Sequence, residues 1–149
     1  MLSFNSASTR VVNTKRGVIE CMEIALGNQY RDCDLAIFHA SIGHNFSELI
    51  AQAHEMAPNA KILAASCCGV VGREGVSESM KDIAVMTVKG NEFTVAHIDG
   101  IFGHNSYEKC LEMANDLKSR SGKINMIYFL ASGIDIANDD CIAAIESVF

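Results

Sequence analysis

The sequence predicts an α/β fold, a mixed β-sheet with helices packed on it, and three observations carry that reading. Asp34 to Ala40 holds a buried-strand run, Leu35-Ala-Ile-Phe38, and Ile62 to Ala65 holds another. Between them, Phe46 to Ala57 places Phe46, Leu49, Ile50 and Ala53 on one helical face, so strand, helix and strand form a βαβ unit with a parallel pair. Two further β-rich runs, Ile83 to Val88 and Phe93 to Ile98, flank Gly90-Asn91. Such a pattern predicts an antiparallel hairpin spanning Ala84 to Ile98. Finally, 49% apolar residues with a single proline in 149 residues give a chain able to bury one core.

In chain order, Met1 to Ala7 alternates weakly and reads as a first strand. Gly17 to Gly27 reads as a helix with Val18, Met22, Ala25 and Leu26 on one face, stopped at Gly27-Asn28. Asn45 with Glu48 fits a capping box for the helix inside the βαβ unit, and Pro58 follows its end. Ser106 to Lys118 carries the cleanest helical period, through Tyr107, Cys110, Leu111, Ala114 and Leu117, with Asn105 and Glu108 as a second capping box. Ile124 to Leu130 reads as another buried strand, and a helix runs from about Asn138 to the end. The whole is expected as one domain of about five or six strands. Phe38-His-Ala-Ser41 and Phe129-Leu-Ala-Ser132 echo each other, each closing an apolar strand before a loop and a helix.

Charge and composition exclude several function classes. Net charge is −6 with no basic cluster, which disfavours a nucleic-acid partner. No run of 18 apolar residues occurs and the first residues lack a signal-peptide pattern, so neither a membrane span nor export is expected. The six cysteines contain no C-x-x-C pair, which removes a zinc knuckle or a thioredoxin-like site, and free thiols fit the cytoplasm. Ala143, Ile145, Val148 and Phe149 make an apolar end, expected either in a docked helix or in a piece of something longer.

The stretch from Lys61 to Gly75 organises the candidate chemistry. An apolar strand gives way there to Ser66, Cys67, Cys68 and Gly69, with Gly72 and Gly75 beyond. Strand ends of open α/β sheets are where ligands bind. The spacing G-x-x-G-x-x-G fits neither a P-loop nor a dinucleotide loop, and Ser66 lacks the glycines of a nucleophile elbow. Ser66 and the backbone N–H groups around it are therefore read as a cradle for a carboxylate or similar anion, or else as a tight turn of small residues. Arg73 is a candidate carboxylate clamp, and Ser41 and Ser132 are candidates at two other strand ends. The vicinal Cys67-Cys68 pair reads as two packed thiols, because one trans peptide brings their Cα atoms closer than a disulfide prefers.

These features, in this order, resemble the N-terminal half of a FIST domain, an intracellular small-ligand sensory domain. The carriers are Cys33-Asp-Leu-Ala-Ile-Phe38, the Asn-capped helix, Pro58-Asn-Ala-Lys-Ile-Leu63, Ala65-Ser-Cys-Cys-Gly-Val-Val71, the Val88-Lys-Gly-Asn91 turn and Ile127-Tyr-Phe-Leu-Ala-Ser-Gly133. Ser66 and Gly69 match the family pattern; Ala64, Cys67, Cys68 and Val70 depart from it. The family's second half has no counterpart after Phe149. The resemblance implies a non-catalytic domain that binds amino acids or related metabolites and passes the signal to an output domain or protein. It also implies an alternative, a haem-binding nitric oxide sensor. His39, His44, His54, His97 and His104 show no paired metal-ligand spacing. A small Ser/Cys hydrolase using Ser66 or Cys67 with His39 or His44 and Asp34 stays open as a third reading.

Overall fold

The computed structural model describes residues 1–72, 75–131 and 136–149. It confirms an α/β fold with a mixed sheet. The chain divides into two compact units, Met1–Glu92 and Phe93–Phe149, each described by itself.

The first unit contains strands β1 (Ser3–Thr9), β2 (Leu35–Ser41), β3 (Lys61–Cys67), β4 (Val70–Gly72), β5 (Gly75–Ser77) and β6 (Ile83–Lys89), with helices α1 (Thr14–Leu26) and α2 (Phe46–Met56). The main sheet has the order β1-β6-β2-β3. The predicted β2–α2–β3 unit is present, with Leu35 paired to Lys61 and Ser41 to Cys67 in parallel. β6 runs antiparallel to both neighbours, so β1, β2 and β3 all point the same way. Both crossovers step in the same direction across the sheet, and a constant hand then puts α1 and α2 on one face. Val18 and Met22 of α1 and Leu49 and Ala53 of α2 meet Ala36, Phe38, Ala40, Ile83 and Val85 there, forming the core.

The expected hairpin between β6 and residues 93–98 does not form. β1 and β2 already occupy both edges of β6, and an interior strand has no hydrogen-bonding edge left to offer. β4 and β5 instead make a small antiparallel ladder in a region that the sequence reads as a glycine-rich loop. Gly72 is needed in it because an added Cβ would run into the Ser8 side chain of β1.

α1 starts at Thr14 rather than Gly17. Asn13 Oδ1 accepts from the Arg16 N–H at 3.0 Å, an N-cap that recruits the polar Thr14-Lys15-Arg16 turn into the helix. Gly27 closes it at φ 58°. Asn45 caps α2 by accepting from the Glu48 N–H at 3.2 Å. Thr14 joins the two helix starts, since its Oγ1 accepts from the Asn45 N–H at 3.2 Å and lies 3.1 Å from His44 Nδ1. At the opposite end of the sheet Asp34 ties three strands. Its N–H donates to Val88, its carbonyl accepts from Lys61, and its Oδ2 accepts from the Gly90 N–H at 2.7 Å. Those contacts, the Gly90 bond foremost and Lys89 after it, hold the Asp34 carboxyl below its usual range.

The second unit contains α3 (Ser106–Arg120) and α4 (Asn138–Glu146). Cys110, Cys141 and Ala144 are buried between them. Ser106 Oγ donates to the Phe102 carbonyl and accepts from the Ala137 N–H at 3.0 Å. Asn105 does not make the expected capping box with Glu108; its Oδ1 turns back to accept from the Phe102 N–H at 2.7 Å. Residues 124–130, expected as a buried strand, form none, and Met126 is 76% exposed. Strands need a paired neighbour, and the described residues of this unit contain no strand. The Phe149 ring is half exposed and lies 5.8 Å from Lys118 Nζ, which also bonds the Val148 carbonyl.

Thr14→Val keeps shape and removes the hydroxyl that serves the buried His44 ring and the Asn45 N–H. It is expected to cost about 2 kcal/mol in urea unfolding; an unchanged midpoint would show that the hydroxyl does not join the helix starts.

Candidate functional site

The C-terminal ends of three parallel strands, β1, β2 and β3, lie at one end of the sheet, and the N-termini of α1 and α2 follow from β1 and β2 at that same end. β6 enters from the same end because it is antiparallel. Asp82, the residue before it, is fully buried (0% exposed). Its Oδ2 accepts from the Ser79 N–H at 2.7 Å and its Oδ1 from Ser77 Oγ at 2.8 Å. Arg10, just past β1, brings its Nε to 3.7 Å from Oδ1. A buried carboxylate is tolerable only with this kind of company.

Asp82 thereby fastens the 77–82 turn over the end of β2. Ser41 N–H donates to the Asp82 carbonyl at 2.9 Å, and Ser41 Oγ donates to the Ser79 carbonyl at 2.6 Å. Gly43 is needed beneath the turn, since a Cβ there would meet the Met80 carbonyl oxygen. His44 is buried beside it, with Nδ1 near Thr14 and Nε2 lacking a hydrogen-bond partner among the described residues.

Beside the turn, the end of β3 and the β4–β5 ladder enclose an open depression of about 250 Å³. Cys68, Gly69, Val70, Val71, Val76, Ser77 and Glu78 line it. Val71 and Val76 face each other across the ladder and stand 81% and 70% exposed. Large exposed apolar side chains placed side by side are the informative kind of exposure. Cys68 and Glu78 supply polar groups, and the Ser77 hydroxyl is held by Asp82. Gly69 is required by a close approach: a Cβ would sit 2.6 Å from the Ser77 carbonyl oxygen.

Of the residues singled out from the sequence, Cys68 and Gly69 line this depression. Cys67, beside them in the chain, is half-buried, and Ser66 is exposed on the opposite face of β3. Ser41 is placed differently from expectation: it is buried, and its hydroxyl is spent on the turn rather than offered to a ligand. Arg73 and Ser132 lie outside the described residues. The sequence reading missed Asp82, Val76 and Glu78. Asp82 stands in the polar run Ser77-Glu-Ser-Met-Lys-Asp82, which reads as a solvated loop, and nothing in the run signals a buried carboxylate. Val71 and Val76 were legible only as apolar residues near glycines; their pairing depends on the ladder.

The thiol chemistry is muted. Burial pushes the Cys67 thiol above its ordinary value against the lowering effect of the Gly69 backbone N–H, and nearby Asp82 and Cys68 add to the rise. Cys21 is pushed up to about 12, chiefly by burial. Cys110 is likewise pushed up to about 12 by burial and by its bond with Cys141. Only the thiolate is a strong nucleophile, so the alkylation rate of Cys67, read by peptide mass spectrometry, is expected to be still rising at pH 9. A plateau below pH 8 would contradict this assignment. No family model matches the chain, and no curated protein matches it.

Proposed function

We propose that this chain recognises a small molecule without transforming it, at the depression between the β3 end and the β4–β5 ladder, and passes occupancy to an output domain or protein. The observation that carries the reading is the outward-facing Val71–Val76 pair of the β4–β5 ladder beside Cys68 and Glu78, next to a turn locked by Asp82. An apolar lip with a carboxylate next to it suits a ligand with an apolar body and an amine. Amino acids and related amines have that chemistry, which agrees with what the FIST resemblance implies.

Two observations weigh against a hydrolase. Burial pushes the Cys67 thiol above its ordinary value, and Asp34 lies at the opposite end of the sheet from Ser66 and Cys67. A nucleophile needs the reverse, a free hydroxyl or thiolate beside a base. The described lining of the depression contains no histidine, so it offers no imidazole to a haem iron.

A thermal-shift panel of amino acids and small amines tests the proposal. A ligand present at 100 times its Kd should add about 2.7 kcal/mol. Val76→Glu alters an exposed side chain and should leave the fold intact while abolishing that gain. Stabilisation by no member of the panel, or stabilisation surviving in Val76→Glu, would overturn it.

A further inference from the structure

The helices of the two units repeat one spacing. A constant shift of 92 positions carries the start of α1 at Thr14 to the start of α3 at Ser106, and the start of α2 at Phe46 to the start of α4 at Asn138. The same shift superimposes buried residues: Val18 on Cys110, Met22 on Ala114, Leu49 on Cys141 and Met56 on Val148. It also superimposes a hydrogen bond. Thr14 Oγ1 accepts from the N–H of Asn45, and Ser106 Oγ accepts from the N–H of Ala137. In each unit the first residue of one helix clasps the N-cap of the next, 31 positions later in both cases.

The repeat identifies what differs between the units at this clasp. In the first unit the residue before the clasped N-cap is His44, whose buried ring bonds Thr14 through Nδ1. In the second unit Ile136 takes that position, and Ser106 turns its proton to the Phe102 carbonyl instead. An open hollow of about 580 Å³ lies there, lined by Phe102, Gly103, His104, Ile136 and Ala137. The Phe102 and His104 rings are parallel to within 1° at 5.9 Å between centroids, and both are exposed. No cation is among the described lining residues, and α4 opens with Asp139 and Asp140.

We infer that this hollow is a second binding site, which takes a planar aromatic small molecule without negative charge. The ligand ring extends the Phe102–His104 stack and occupies the clasp region, where the first unit buries a ring of its own. Offset stacking favours such an arrangement, and the acidic start of α4 disfavours anions. This site is separate from the depression beside β3 and does not depend on it.

Indole is the probe. The chain has no tryptophan, so indole emission excited at a tryptophan-selective wavelength reports binding without background. The expected result is a saturable blue shift at one equivalent, retained in Val76→Glu and absent for the anionic indole-3-acetate. Phe102→Ala removes the ring and keeps the three backbone hydrogen bonds at that residue, so it should keep the far-UV circular dichroism and weaken binding about tenfold. Absence of a saturable shift, saturation by indole-3-acetate with equal affinity, loss of binding in Val76→Glu, or weakening of less than about threefold in a folded Phe102→Ala would each overturn the site.

Discussion

A single buried carboxylate sets the working end of the first unit. Asp82 is removed from water, and such a group destabilises a fold unless its oxygens are satisfied. Ser77 and Ser79 supply donors from within the same short turn, and Arg10 supplies a nearby charge from just past β1. The desolvation cost of the carboxylate is thus converted into a geometric requirement: the turn must close on itself and lie against the strand ends. The Asp82 carbonyl and the Ser79 carbonyl then take the Ser41 N–H and hydroxyl, so the end of β2 is covered by its own chain.

That covering moves the open ground sideways. With β2 roofed, the accessible surface lies along β3 and the β4–β5 ladder. A close approach at Gly69 brings the chain leaving β3 against the Ser77 carbonyl, and one at Gly72 lets the ladder settle against the Ser8 side chain. The ladder pairs Val71 with Val76 and turns both outward, giving an apolar surface that the core has no use for. Fold and candidate function share one cause here, because the contacts that close the turn also fix Ser77 and Glu78 at the rim.

Local pattern reported part of this faithfully. The βαβ unit, the Asn45 cap and the Gly27 stop are each written in a few adjacent residues, and each is where the sequence places it. The hairpin between β6 and residues 93–98 fails because pairing is a long-range property. Gly90-Asn91 announces a turn, and Gly90 does adopt φ 120°, but which strand takes the edge of β6 is decided by β1, some eighty residues earlier. Residues 124–130 show the same gap, since apolar alternation marks a segment fit for a strand and not one that has found a partner. At the site, small residues at the β3 end were legible as a strand terminus. Asp82 was not, because the rule that acidic residues stay outside fails only where a specific set of donors exists, and that set is assembled by the fold.

The helix starts add a second constraint of the same kind. Thr14 and Ser106 each spend a short hydroxyl on the N-cap of the next helix, which fixes the helix pair without enlarging the core. Two small units can therefore hold their helices in register with modest apolar burial, a useful property where stability is a narrow margin.

Native-state hydrogen exchange on Asp82→Ala measures the central claim most directly. If the buried carboxylate locks the turn, protection of the Ser79 N–H should fall at least about tenfold, and that of the Ser41 N–H should fall with it. Amides within the β2–β3 ladder, such as Ile37 and Leu63, should change far less. Unchanged protection at Ser79 and Ser41 would show that the turn is held by something other than Asp82 and would contradict the account.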